Sequence, residues 1–336
     1  GRSLREGWQS MSSATVLVAN RGEIALRIIR TARETGHRVV AVYAADDAQS
    51  PHVSAADEAV ALEGVGAQAY LDVDAIIDAA QRTGATFVHP GYGFLSEDPR
   101  LARACADAGL RFVGPSAAVL EMFGDKASAR QAAVNAGVPV LDATTTGVDE
   151  AQVAALLAAH PAGIMIKAVA GGGGRGMREV RDPAGIADAM RVCAAEAAAG
   201  FGNSEMFAEE LCGSARHVEV QVVAAGTGSG TTALALGDRD CSVQRRHQKL
   251  IEIAPAQQIP DGMRVGLHSA AAVLCAANDY RGLATVEFLV TDNRFVFLEV
   301  NPRIQVEHTV TEEVTGCDLV GIGLAIAGGA DYDALG

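Results

Sequence analysis

Apolar residues recur along this chain in two periods, and the switches between them mark its elements. Thr15–Asn20 (TVLVAN) is a short apolar run that predicts a strand. From Gly22 the apolar positions Ile24, Leu26, Ile28 and Ile29 predict a helix that ends near Gly36. Arg38–Tyr43 predicts a second strand, and a helix over about Asp72–Arg82 leads to a strand at Thr86–His89 and the loop HPGYGFLSEDP. Leu101–Ala108 is helical in pattern, and Arg111–Val113 adds a β segment before Gly114 and Pro115. Strand and helix alternating in this way predict an α/β fold that opens with a doubly wound parallel, Rossmann-like sheet.

Beyond that sheet the pattern changes. A helical connector over Ala117–Ala136 carries Lys126 and is ended by Val138 and Pro139. From about Ala143 to Leu211 the order is helix, strand Ile164–Val169, glycine loop, second strand, helix Ala184–Ala199 and a strand near Glu205–Glu209. His217–Val223 alternates strictly, with His217, Glu219 and Gln221 on one face and Val218, Val220 and Val222 on the other. Gly226–Gly230 predicts an exposed hairpin tip. The chain thus divides into a tail or tag at 1–13, an N-terminal domain at 14–116, a connector at 117–142, a small lobe at 143–211 and a mainly antiparallel lobe at 212–336.

The loop AGGGGRGM at 170–177 formally matches G-x-G-x-x-G through Gly171, Gly173 and Gly176. A dinucleotide fold needs a helix next, whereas the β-like REV and then Pro183 follow, so strand–loop–strand is expected and a nicotinamide oxidoreductase is not. Glycine lets such a flap approach phosphate and offer its N–H groups. No Gly-Lys dipeptide occurs, which excludes a Walker-type loop. Lys167, on a strand whose opposite face holds Ile164 and Ile166, is placed to bind phosphate.

The runs Thr285–Val290 and Phe295–Asn301 flank a turn sequence, TDNR. A hairpin centred near Asn293 sets Glu287 opposite Glu299, with Cβ atoms about 5 Å apart. Two carboxylates so close call for a cation, and a hard dication bridging to substrate phosphates answers that need. Period 2 carried onward puts Glu299, Asn301, Arg303, Gln305 and Glu307 on one face and Val300, Pro302, Ile304 and Val306 on the other. Thr309 and Glu312 predict a capping box for the following helix. Gly237–Lys249 (GDRDCSVQRRHQK) gathers Arg239, Arg245, Arg246, His247 and Lys249 around Gln244, a patch suited to a small anion.

Composition sharpens this. A net charge of −14 argues against nucleic acid or an anionic membrane as the main partner, and no apolar run approaches a membrane span. GRSLREGWQS lacks the apolar segment of a secretory signal, and its lone Trp8 has no assigned role. Six cysteines without a CxxC pair predict buried thiols in a reducing cytoplasm. Of 27 Lys and Arg residues only Lys126, Lys167 and Lys249 are lysines, and each lies in a segment with phosphate-binding character.

At these clusters the sequence resembles the biotin carboxylase branch of the ATP-grasp superfamily. The strings are NRGEIALRIIR at 20–30, HPGYGFLSE at 89–97, GDK at 124–126, GGGGRGM at 171–177, RHVEVQV at 216–222, GDRDCSVQRRHQK at 237–249 and EVNPRIQVEHTVTE at 299–312. The resemblance implies an ATP-grasp fold after the parallel sheet and MgATP-dependent carboxylation of biotin by bicarbonate. It implies ATP contacts from Lys126, Lys167, Gly172, Gly173, Gly174, Met177, Glu209, Glu210, Cys212, His217, Gln244, His247, Glu287 and Glu299. Mg²⁺ (or Mn²⁺) would fall to Glu287, Glu299 and Asn301, and bicarbonate to Lys249, Arg303, Gln305, Val306 and Glu307. Glu307 is the implied general base, with Arg303 and Lys249 also catalytic. The hinge string EELC and Pro302 depart from the common family pattern. No Met-Lys-Met occurs, so biotin is expected on a separate carrier domain or chain, with a carboxyltransferase as further partner. The resemblance also implies homo-oligomers and a further C-terminal segment contributing a biotin-site arginine and dimer surface. Another ATP-grasp ligase, such as carbamoyl-phosphate synthetase, and a nucleotide-binding regulatory module are the alternatives, and QRRHQK and RIQVEH argue against the first.

Overall fold

The computed structural model describes residues 14–169, 176–245 and 248–335. The tail at 1–13, Gly172, Gly173, Gly174, Arg246 and His247 lie outside the described residues. Within them, the first unit is a five-stranded parallel sheet of β1 (Thr15–Val18), β2 (Arg38–Tyr43), β3 (Glu58–Ala61), β4 (Phe87–His89) and β5 (Arg111–Phe112), in the order β3-β2-β1-β4-β5. Helices Gly22–Glu34, Val73–Arg82 and Pro99–Asp107 connect the strands, as expected. Strand β3 was not legible, because EAVA is short and three of its four residues are polar or small.

The connector is two helices, Ala117–Gly124 and Lys126–Asn135. Asp125 divides them: its extended backbone ends the first, and its carboxylate accepts from the Ser128 N–H at 2.8 Å to cap the second. Next comes a three-stranded antiparallel sheet, order β7-β6-β8, of β6 (Ile164–Ala168), β7 (Met177–Val180) and β8 (Met206–Glu210). The glycine loop therefore joins two strands. At its end Gly176 has φ +71°, and a Cβ there would lie 2.9 Å from Ala168 Cβ, so glycine is required. Helix Ile186–Phe201 covers this sheet and buries Cys193 and Ala197.

The largest sheet is antiparallel, order β11-β10-β9-β12-β13, built from β9 (Arg216–Thr227), β10 (Gly230–Arg245), β11 (Gln248–Ile253), β12 (Gly282–Val290) and β13 (Phe295–Asn301). Helix Asp261–Ala277 packs its Leu267, Ala271 and Leu274 on the face carrying Val218, Val220 and Val222. The opposite face of β9 is no less buried, since Glu219 and Gln221 are fully enclosed. A second core joins the parallel sheet to this lobe, with Val16, Ile28 and Val39 packed among Leu283, Ile304, Leu319 and Val320. No helix among the described residues is long and apolar enough to cross a membrane. All six cysteines are free, but Cys212 and Cys317 are only half-buried.

Candidate active site

The acidic hairpin pairs Glu287 with Glu299, and β9 adds Glu219 directly opposite Glu287. One rung of the sheet thus reads Arg239, Glu219, Glu287, Glu299 across β10, β9, β12 and β13. Glu219 and Glu287 are buried, while Glu299 keeps access to solvent. Glu219 is a site residue not expected from the sequence, where its signal was the polar face of the strictly alternating strand.

Lys249 reaches over this rung from β11. Its Nζ lies 2.5 Å from Glu219 Oε2, 2.9 Å from Glu287 Oε1 and 2.8 Å from Glu307 Oε1. Burial alone would lower the ammonium's pKa, but the three carboxylates push it up. Burial likewise opposes ionisation of Glu307, and Lys249 more than offsets it, holding that carboxyl below its usual range. His217 bonds Glu287 through Nε2 and faces the Gln244 amide through Nδ1 at 2.7 Å. The bond and charge of Glu287 raise its pKa against the effect of burial. Cys241 lies with Glu219 and Glu307 in a group whose ligand atoms are within 4.8 Å of one another, but burial and Glu219 push its thiol up and leave it a neutral wall.

Four expectations need correction. The strand ends at Asn301, because Pro302 cannot donate to a ladder, and residues 302–307 turn towards the helix His308–Thr315. Gln305 and Glu307 are still buried, but Val306 does not share a face with Val300 and Ile304: those two are buried and Val306 is exposed. The capping box is absent: Glu307 occupies the N-cap without a side-chain bond, and Glu312 instead accepts from Arg27 and from the Leu319 N–H. Arg239 is not part of a basic patch, being fully buried. Arg303 bonds Glu97 of the HPGYGFLSE loop and also donates to Asn301 Oδ1 at 3.1 Å and the Ile304 carbonyl oxygen at 3.2 Å.

On the small lobe, Lys167 on β6 ion-pairs with Glu209 on β8, and Met177 pairs with Lys167 across β7. Glu210 faces the other way, 2.7 Å from Arg294 and 3.5 Å from His160, so its side chain is already engaged. Cys212 lies just beyond it, half-buried. Burial and the neighbouring Glu287 charge raise the Glu299 pKa, and the charge of Lys126, at the start of its helix, opposes them.

Arg239 and Lys249, with Lys126 near Glu299, thus sit among four carboxylates: Glu219, Glu287, Glu299 and Glu307. Such an excess of hard, charged oxygens, with Glu287 and Glu299 side by side, fits a divalent cation. Asn301 gives its amide N–H to Glu287 and its oxygen to Arg303, so it would have to turn to become a ligand.

Residues 12–120 match a family described as biotin carboxylase, N-terminal domain, and residues 125–335 match the carbamoyl-phosphate synthase L chain, ATP binding domain. The biotin carboxylase of Pseudomonas aeruginosa is 47% identical over 317 residues, covering 94% of this chain and 70% of its own. The chain belongs to the biotin carboxylase family. As a biotin carboxylase it is an ATP-dependent ligase. A single-chain, multi-domain long-chain acyl-CoA carboxylase shares its fold with TM-score 0.82 and 57% identity, over 96% of this chain and 29% of that one. The biotin carboxylase domain dimer of Hydrogenobacter thermophilus 2-oxoglutarate carboxylase, in complex with MgADP, ADP and bicarbonate, superposes with TM-score 0.86 and 37% identity, over 95% and 70%. This biotin carboxylase chain therefore spans less than a third of the multi-domain enzyme's length.

Proposed function

We propose that the rung of carboxylates under Lys249 is where bicarbonate meets MgATP, and that this chain performs the first half-reaction of an acyl-CoA carboxylase. The single observation that carries this is Lys249 Nζ bound between Glu219, Glu287 and Glu307, a cation placed where an anion and a metal-binding pair converge. The complex of the 2-oxoglutarate carboxylase domain with MgADP and bicarbonate supports it. The 57% identity to the long-chain acyl-CoA carboxylase supports an acyl-CoA acceptor.

In this mechanism Lys126, Lys167 and the flap ending at Met177 hold the phosphates. Glu209, Glu210 and the backbone to Cys212 form the nucleotide hinge, and His217 and Gln244 complete the pocket. Glu287 and Glu299, with Asn301 beside them, would hold Mg²⁺ or Mn²⁺, which would neutralise phosphate charge. Bicarbonate displaces part of the Lys249 network and lies against Lys249, Arg303, Gln305 and the Val306 backbone. Glu307 takes its proton, the freed oxygen attacks the γ-phosphorus, and the bond to ADP breaks to leave carboxyphosphate. Carboxyphosphate then yields CO₂ and phosphate; the phosphate removes the ureido proton of biotin, whose nitrogen captures CO₂. The protein's part is positioning and charge neutralisation. Biotin would arrive on a carrier domain or chain, the carboxyltransferase would consume the product, and the dimer of the 2-oxoglutarate carboxylase domain supports a homo-oligomer. Six free thiols favour a cytoplasmic setting. The three sheets support the division at 14–116, 117–142, 143–211 and 212 onward.

The deciding assay is MgATP hydrolysis with and without bicarbonate, repeated with biotin. Bicarbonate-dependent turnover accelerated by biotin is expected. Hydrolysis indifferent to bicarbonate would remove the proposed site.

A further inference from the structure

Arg239 begins the acidic rung, yet solvent does not reach it: its exposure is 0%. Its guanidinium has five N–H donors, and all five find acceptors. Nε donates to Glu219 Oε1 at 2.5 Å. One terminal nitrogen donates to Gln221 Oε1 at 2.9 Å and Thr311 Oγ1 at 2.7 Å, and the other to Thr285 Oγ1 and Gln305 Oε1, each at 3.2 Å. Those partners come from β9, β12, the 302–307 turn and the helix His308–Thr315.

Stability does not explain this arrangement. Enclosing a charged pair costs desolvation that apolar side chains of equal volume would not incur, so such pairs often add nothing to stability. Lysine could not replace it either, since one ammonium with three donors cannot span acceptors on four elements. What the network does fix is two groups at the front of the site. Glu219 gives its second oxygen to Lys249 at 2.5 Å, so Arg239 orients the carboxylate that seats the ammonium. Gln305 is held by its oxygen, leaving its N–H groups directed at Glu287 Oε1, 3.4 Å away.

We propose that Arg239 is a positioning residue for the bicarbonate step, locking Glu219 and Gln305 so that Lys249, Gln305 and Glu307 converge on one anion. Arg239 has this role only if those three residues hold bicarbonate, as proposed above. Its partners include neither Lys126, Lys167 nor the Glu287–Glu299 pair, so its loss should separate bicarbonate from MgATP.

The test uses the intact carboxylase carrying Arg239→Met together with Glu219→Gln, which leaves no unpaired buried charge, beside Glu219→Gln alone. The double variant is expected to melt within about 5 °C of the wild type. Its KM for bicarbonate should rise at least about tenfold beyond the single variant, with KM for MgATP within about twofold. The thermal shift that bicarbonate induces should shrink in parallel. A folded double variant whose bicarbonate KM equals that of the single variant overturns the proposal, as does an equal rise in both KM values. If the double variant does not fold, Arg239→Lys decides by the same split, and an unchanged bicarbonate KM there also overturns it. Wild-type turnover that ignores bicarbonate, or a Lys249→Gln variant with normal bicarbonate KM, would instead remove the site reading itself.

Discussion

Glu307 is held ionised by the Lys249 ammonium 2.8 Å away, so at neutral pH it is a carboxylate ready to accept a proton. Glu307→Gln keeps the shape and the contact to Lys249 but removes the basic oxygen. Turnover should fall by about 10²–10⁴, with KM for MgATP nearly unchanged, in a steady-state assay varying each substrate. Equal loss of both would make Glu307 structural. The opposition of Glu287 and Glu299 was legible from two runs and a turn, but it holds for a reason the runs do not show. The turn is centred one half-residue earlier than Asn293, since Phe295 pairs with Val290, and a bulge at Leu298 restores the pairing at Glu287. Without that bulge Glu287 would face Leu298.

At the scale of elements, β10 is clamped to the helix Asp261–Ala277 by Asp238. Its carboxylate accepts from the Ala256 N–H at 2.8 Å, from Arg264 at 2.5 Å and from His268 Nε2 at 2.7 Å. Burial alone would raise the Asp238 pKa, but these donors together hold it below the usual range. A depressed folded-state pKa means stabilisation that is complete above the unfolded carboxylate's value and lost as pH falls through the folded one. Asp238→Asn should therefore cost about 2–4 kcal/mol at pH 7, and the difference from wild type should narrow below about pH 4. Urea unfolding at several pH values checks this; a gap that widens on acidification would contradict it. The elements with strong period, such as Gly22–Glu34 and Arg38–Tyr43, were legible, whereas β3 and the helix break at Asp125 depend on a neighbour strand and a single cap.

Across the whole molecule, the parallel sheet and the antiparallel lobe share one apolar core. Leu319, fully buried, packs in it with Val16, Ile28 and Leu283. Leu319→Ala should destabilise by about 2–5 kcal/mol. Amide exchange should then quicken together in β1 and β12, because neither side keeps its core alone. Quickening confined to the helix Leu319–Ala327 would show two independent units. This common core also brings Glu97 from the N-terminal loop onto Arg303, so the proposed bicarbonate arginine is held from both sides. The sequence by itself determined the parallel α/β opening, the strand–loop–strand flap, the paired acids of the hairpin and the family. Those follow from local periodicity, turn chemistry and residues close along the chain. Only the tertiary structure decided that Glu219 joins the rung, that Arg239 lies enclosed beneath it, that Glu210 turns to Arg294 and that Lys249 is the cation among the acids. These depend on which strands become neighbours across long loops, and on where bulges and a proline break the register, which period alone cannot specify.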